Sequence, residues 1–254
     1  MNDLKSLIDL EKAFLENVKK NGINKGFISF LSPDAKSFKD NNLVNTKEWY
    51  SSINQINGQL FWYPAYAFLS SSNDMGFTTG PYEFFDGVNT GYGDYISIWK
   101  KINDAEFKVV FDAGFFHLEP EYFEDEFRLD FLEPNNLFDN TIDIKEERVK
   151  LFEIFNRVFN GEGILSIDLF SNHIRFCKSG DFTTISKTDF IKEFSLLKIS
   201  SSIINYDISK NYDFAYFYGN SKVSIQENDV ECDFLTVLNK NSKNQWQFVF
   251  VGLI

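Results

Sequence analysis

The chain repeats itself. At a constant offset of 139 residues, Asp74 meets Asp213, Gly80 meets Gly219 and Asp94 meets Asp233, with no gap required. The same offset sets Tyr95 on Phe234, Ser97 on Thr236, Ile98 on Val237 and Lys101 on Lys240. It also sets Phe107 on Trp246, Val110 on Val249 and Phe111 on Phe250, and further upstream Ser32 on Ser171 and Lys36 on Arg175. A length of 254 residues admits one large domain or two small ones, and the repeat selects two copies of one domain.

Each copy opens on a helical pattern. In LIDLEKAFLENVKKNG, Leu7, Leu10, Phe14 and Val18 share one face at spacings of three and four, and Asn21-Gly22 ends the run. In RVKLFEIFNRVFNGEG the corresponding stripe is Val149, Phe152, Phe155 and Phe159, with Gly161 at the break. A short stretch near a turn signal follows each helix, SPDAKSF or SNHIRFCKSG, and alternating strands close the copy. GYGDYISIWKK alternates Tyr95, Ser97 and Trp99 against Ile96 and Ile98. EFKVVFDAG sets Phe107, Val109 and Phe111 against Lys108, with INDAE as the hairpin turn between them. Helices followed by a strand meander predict an α+β fold, with N-terminal helices on one face of a curved antiparallel sheet in each copy. The predicted organisation is a first domain over 1–114, a connector over 115–144 and a second, divergent domain over 145–254.

Composition narrows the functional classes. The net charge is −12, which excludes the clustered lysines and arginines of a nucleic-acid binder. The connector alone carries nine acidic residues against one basic, as a solvated link would. Its Glu119, Glu121, Glu124, Asp125 and Glu126 lack the EF-hand pattern and predict a helical turn anchored by Phe123, Phe127 and Phe131 rather than a calcium site. With 30 Phe and 11 Tyr the chain is 18% aromatic, which favours sheet. No apolar run is long enough to span a membrane. MNDLKSLIDLEKAF lacks a signal peptide's apolar core, so the expected location is the cytoplasm unless an export signal precedes this sequence. Cys177 and Cys232 form no disulfide framework or zinc spacing and read as buried free thiols. Phosphate loops, the GxSxG elbow and HExxH are missing from the sequence, and no metal or cofactor is implied.

The segment LFWYPAYAFLSSSNDMGFTTGPYEF, followed by GYGDYISIWKK and FKVVFDAG, resembles the SnoaL-like branch of the nuclear transport factor 2-like superfamily. The features that carry this are Trp62, Pro64, Ala67, Ser70, Asp74, Gly76, Thr79, Gly80, Tyr82, Glu83, Tyr95, Trp99, Lys100 and Asp112. The resemblance implies two tandem cones, each a curved sheet around helices with a pocket at its open end, joined in one chain that could pair them internally as a pseudo-dimer. Members of that family bind small apolar or amphipathic molecules, isomerise steroids, cyclise polyketides or dimerise, so the shape leaves the chemistry open.

Among the titratable residues of the first copy, Asp34 follows Pro33 and suits a turn. Asp74 and Asp94 recur in the divergent copy, which suits a turn or a strand end. Asp112 is replaced by Val251, so the fold does not require it, and it is the candidate general base, with His117 as its partner across the pocket mouth. Trp49, Trp62, Tyr66, Tyr82, Tyr95 and Trp99 are candidate aromatic walls. Thr79, Tyr82 and Glu83 distinguish the first copy from Tyr218, Ser221 and Lys222 of the second. Asp74 and Gly80, shared by both, read as a strand entry and a position where a side chain would crowd the sheet. His173 reads as a packed or exposed strand residue. The expected function is binding of a small amphipathic ligand in the first domain. The alternatives are an isomerase- or cyclase-like enzyme using Asp112, or a scaffold whose cavities are filled by phenylalanine.

Overall fold

A computed structural model describes residues 3–103, 106–121, 130–131, 143–161, 166–225 and 228–254. The chain divides into two compact units, Met1–Pro134 with Ser179–Phe182, and Asn135–Lys178 with Thr183–Ile254. Both are mixed α+β, with a curved sheet and few helices. Most of the connector, with Phe123, Phe127 and the candidate calcium carboxylates Glu124, Asp125 and Glu126, lies outside the described residues.

In the first unit, helix α1 (Asp3–Asn21) ends where Gly22 takes a positive φ of 84°, and α2 (Ile23–Phe30) starts there. Glycine adopts that backbone without a Cβ penalty, so the Asn-Gly signal marks a true break. Leu7, Phe14, Leu15 and Val18 bury the α1 stripe. SPDAKSF lies within strand β1 (Leu31–Lys39), so Asp34 is a strand residue rather than a turn residue, and β1 hairpins onto β2 (Asn42–Asn45) through Asp40 and Asn41, both at positive φ. Helix α3 (Thr46–Ser52) is capped by the Asn45 carboxamide, which accepts from the Glu48 amide.

The strands β3 (Gln59–Trp62), β4 (Tyr66–Leu69), β5 (Met75–Phe85), β6 (Thr90–Ile102) and β7 (Glu106–His117) follow, with β8 (Asp130–Phe131) beyond. The sheet order is β2-β1-β7-β6-β5-β4-β8, and β3 also pairs with β5. β1 joins β7 in parallel, which puts an early strand beside a late one. The last strand continues through His117, beyond the expected domain end at 114. Its alternation is not regular. A register shift between Ile98 and Trp99 pairs Trp99 with Val109 but Ile98 with Phe111. The extra residue turns Phe111 onto the opposite face from Val109, where it packs on Phe38, 5.7 Å between ring centres.

In the second unit, α4 (Ile144–Phe159) buries Leu151, Phe155, Val158 and Phe159. Val149, expected on that stripe, is 55% exposed, so the buried face is rotated from the predicted one. A 3₁₀ turn (Ile167–Leu169), β9 (Phe170–Lys178), α5 (Lys187–Phe194), β10 (Lys198–Ile208), β11 (Phe214–Ile225), β12 (Asn228–Lys240) and β13 (Trp246–Leu253) complete it, in sheet order β10-β11-β12-β13-β9. β13 and β9 are parallel. Its core is built from rings: Phe155 stacks on Phe159 at 4.7 Å and on Phe217 at 5.4 Å, and Phe170 meets Phe190 at 4.8 Å. Cys177 is buried and free; Cys232, also free, is only partly buried.

Candidate functional site

The first unit encloses a cavity of about 370 Å³ between its helices and the inner face of the sheet. Phe14 of α1, Phe27 of α2 and Tyr50 of α3 supply one wall. Trp62 of β3, Tyr82 and Phe84 of β5, and Tyr95 of β6 supply the other. These rings hold one another: Phe14 meets Trp62 edge-on at 5.1 Å, and Phe27 stacks on Tyr50 at 4.7 Å. Tyr82 faces Gly93 across the ladder. A Cβ on Gly93 would come within 2.4 Å of the Tyr82 ring, whereas one on Gly114 would stand at 3.4 Å. The ring therefore lies flat over the sheet because Gly93 has no side chain.

Besides the tyrosine hydroxyls, three polar side chains interrupt this lining: Lys39, Ser97 and Asp112. Asp112 sits opposite Ser97 in the β6–β7 ladder and accepts its hydroxyl at 2.9 Å. Asp112 is half-buried and lines the cavity. Burial pushes its pKa up to about 6, against the opposing charge of Lys39 and the Ser97 hydrogen bond. Burial also lowers the pKa of Lys39, while the charges of Asp112 and Asp40 raise it. The Lys39 ammonium lies 5.0 Å from the centre of the Trp49 ring. An acid near pH 6 in an apolar cup can take up or release a proton around neutrality.

Beneath the cavity wall lies a second carboxyl that the motif reading passed over. Glu11 of α1 is fully buried. Its Oε1 accepts from the Trp62 indole at 2.6 Å, and its Oε2 accepts from the Thr78 hydroxyl at 2.5 Å and the Trp99 indole at 2.9 Å. Burial drives its pKa up to about 7, with the nearby Asp112 charge adding to the rise and the three hydrogen bonds resisting it. The sequence did hold a signal for it: a glutamate four residues after Leu7 and three before Phe14, inside the apolar stripe.

The period of two along a strand sorts the predicted residues. Trp62, Tyr82 and Tyr95 line the cavity with Asp112. Tyr66 and Thr79 pair with each other and lie on the opposite face, where Tyr66 packs on Phe77 and the Thr79 hydroxyl donates to the Tyr95 carbonyl. Glu83, one residue from Tyr82, is outside the lining. Trp49 is outside the lining; it meets Tyr50 edge-on at 4.9 Å and lies under the Lys39 ammonium. Trp99 is fully buried beneath it. Asp112 and His117 are not brought together. Five residues apart on one strand, they fall on opposite faces, and His117 Nε2 pairs with Asp94 at 3.3 Å while Nδ1 lies 2.6 Å from the Leu118 carbonyl oxygen. That pairing with Asp94 raises the His117 pKa, with burial opposing. Asp94 is thus a mid-strand partner rather than a strand end. Asp34 is an exposed β1 residue, and His173 is an exposed residue of β9.

Asp74 and Gly80 are architectural. The Asp74 carboxylate accepts from Ser70 at 3.0 Å in a turn whose Asn73 has a φ of 53°. A Cβ on Gly80 would come within 2.1 Å of the Tyr63 carbonyl oxygen. Asp213 accepts from Ser209 at 2.8 Å in a like turn, with Tyr212 at φ 54°, and a Cβ on Gly219 would come within 2.0 Å of the Ser202 carbonyl oxygen.

No family model matches the sequence, and no curated protein does. Solved structures similar to it are nuclear transport factor 2-like and ketosteroid isomerase-like proteins, over less than half of this chain. A putative ketosteroid isomerase from Shewanella frigidimarina is 14% identical, covering 42% of this chain and 94% of its own, at a TM-score of 0.32. An epoxide hydrolase-like protein of Mycobacterium tuberculosis is 7% identical, covering 43% and 81%, at 0.33. A nuclear transport factor 2-like protein of unknown function from Pseudomonas putida is 11% identical, covering 43% and 83%, also at 0.33. Among the described residues no helix is long and apolar enough to cross a membrane, and no cluster of His, Cys, Asp and Glu suits a metal ion.

Proposed function

We propose that the first unit binds a small amphipathic molecule in its aromatic cavity. The observation that carries this reading is a formed, ring-lined space of about 370 Å³ whose polar side chains other than tyrosine are Lys39, Ser97 and Asp112. Such a make-up suits a flat apolar body with one polar end. The second unit supports the assignment by contrast. At the 139-residue offset Asp112 becomes Val251, Gly114 becomes Leu253 and Tyr95 becomes Phe234, all three packed in the second unit's core. Thermal-shift and fluorescence titrations with steroids, aromatic polyketides and fatty acids test the reading. A ligand should raise the melting temperature of the wild type, and Gly114→Leu, which extends a side chain toward Tyr82, should weaken that ligand at least tenfold. Uniformly flat melting temperatures would favour a scaffold role.

A catalytic reading draws on the placement of the Asp112 carboxyl in the cavity lining against the Ser97 hydroxyl, where burial pushes its pKa up to about 6. There it would serve as a general base with Ser97 orienting it. Turnover of a bound ligand that Asp112→Asn abolishes without loss of binding would support it. His117 has no part in this scheme.

We also propose that the two units are copies of one domain. The support is in the ladders. Met75 pairs with Lys100 and Phe214 with Asn239; Leu31 pairs with Val109 and Phe170 with Phe248. The bulges fall between Ile98 and Trp99 in one unit and between Val237 and Leu238 in the other. Every one of these positions recurs 139 residues on.

A further inference from the structure

We propose that the ligand of this cavity is an amphipathic carboxylate, its headgroup held between the Lys39 ammonium and the Asp112 carboxyl and its apolar body against Trp62, Tyr82 and Phe27. The inference rests on the reading of the cavity as a binding site and names the chemistry that site selects.

The geometry that points there is the position of the one ammonium among the lining residues. Lys39 ends β1 and is part of the cavity lining, with its ammonium over the Trp49 ring, 5.0 Å from the ring centre. In the open cavity that charge can be hydrated. An apolar ligand body would displace the water and leave the ammonium to be met by protein or ligand oxygen. Asp112 does not supply full compensation, because burial outweighs the pull of Lys39 and keeps this carboxyl readily protonated. A ligand carboxylate supplies the missing anion, and a protonated Asp112 can donate a hydrogen bond to it. A cationic headgroup would meet Lys39 as a like charge, and a neutral alcohol would leave the ammonium uncompensated.

The groups around Asp112 on each packed element agree with proton uptake. Lys39 of β1 favours its ionised form. Glu11 of α1, whose own pKa its charge raises, favours the neutral form once ionised, and so does any charge on Tyr50 of α3, which burial and Asp112 together keep protonated. Ser97 of β6 contributes only its hydroxyl. Bringing a second anion into this group therefore favours one proton bound with each ligand. The carboxylate's affinity should then fall by about tenfold per pH unit once the pH is well above 6.

The test uses the full chain, with 1-pyrenebutanoic acid and 1-pyrenebutanol as a fluorescent pair of one body and two headgroups, titrated from pH 5.5 to 8. The acid should bind at least tenfold more tightly than the alcohol at pH 6 and lose that advantage as the pH rises, while the alcohol stays constant. Lys39→Met should erase the preference by weakening the acid, and by removing the uncompensated ammonium it should bind the alcohol more tightly than the wild type does. Asp112→Asn should keep acid binding and flatten its pH profile. Equal affinity for the two probes, or a preference that survives Lys39→Met, would overturn the carboxylate inference and leave the cavity reading intact. A preference without pH dependence would overturn the role given to Asp112. Failure of both probes to bind, or binding untouched by Gly114→Leu, would overturn the cavity reading itself. The wild-type pH profile decides the matter even if a variant folds poorly.

Discussion

Glu11 occupies a position on the α1 stripe that a leucine would ordinarily fill, and two indoles and a hydroxyl make that placement tolerable. Its counterpart in role is Glu147 of α4, which accepts from the Trp246 indole at 2.9 Å and pairs with Lys240 at 2.8 Å. Burial lifts both carboxyls, but Glu147 has cations beside it and ends below its ordinary value, whereas Glu11 rises to about 7. The folded first unit therefore holds a proton on Glu11 that the unfolded chain releases above pH 4.5. Raising the pH from about 4.5 to about 7 should remove stability, on the order of 3 kcal/mol. Glu11→Gln should flatten that slope in urea titrations at pH 5, 6 and 7. Its amide nitrogen cannot accept from the second indole, so at pH 5 the variant should also be less stable by about 1–3 kcal/mol. A slope unchanged by the substitution would show that Glu11 titrates near 4.5 in the folded protein.

At the scale of strands, the sequence was most legible where alternation was regular and least where a bulge or a face decided the matter. GYGDYISIWKK reads correctly as β6, with Ser97 and Tyr95 turned to the cavity. The same rule, applied through TTGPYE, separates Tyr82 from Thr79 and Glu83, which contrast with the second copy alone groups together. Asp112 was visible because the repeat replaces it with valine. Lys39 gave no signal, since its place depends on β1 joining β7 in parallel, a pairing between strands far apart in sequence. The loss of alternation at Phe111 follows from one inserted residue that hydrophobicity cannot locate. Gly80 and Gly219 were legible as crowding points, and the carbonyl oxygens of Tyr63 and Ser202 supply the reason. Alanine at either position should cost at least ~2 kcal/mol, because backbone must move to admit the methyl group. Alanine at Gly114, where the nearest atoms stand at 3.4 Å or beyond, should cost less than 1 kcal/mol. Chemical denaturation of the three variants compares them, and equal costs would remove the crowding argument.

For the whole chain, the two units should respond to pH differently. In the first, Glu11, Asp112 and His117 all have raised pKa values. The two acids lose stability as the pH rises above the unfolded values, and His117 loses its contribution as the pH passes its folded value. All three act in one direction between pH 4.5 and 8. In the second unit, Glu147 is lowered and gives up stability only as the pH falls below about 4.5, while Asp233, raised by burial against the Asn220 hydrogen bond, acts the other way. Its net slope should be smaller than that of the first unit, where three groups act together. Hydrogen exchange followed segment by segment, with intrinsic rates corrected for pH, separates the two. Opening free energies of β5 and β6 amides should fall more between pH 5 and pH 8 than those of β11 and β12. If both sheets lost protection equally, the buried acids of the first unit would not be the cause. A carboxylate bound in the first cavity with its proton should protect β5 and β6 more at pH 6 than at pH 8, which ties the stability of this unit to the chemistry proposed for its ligand.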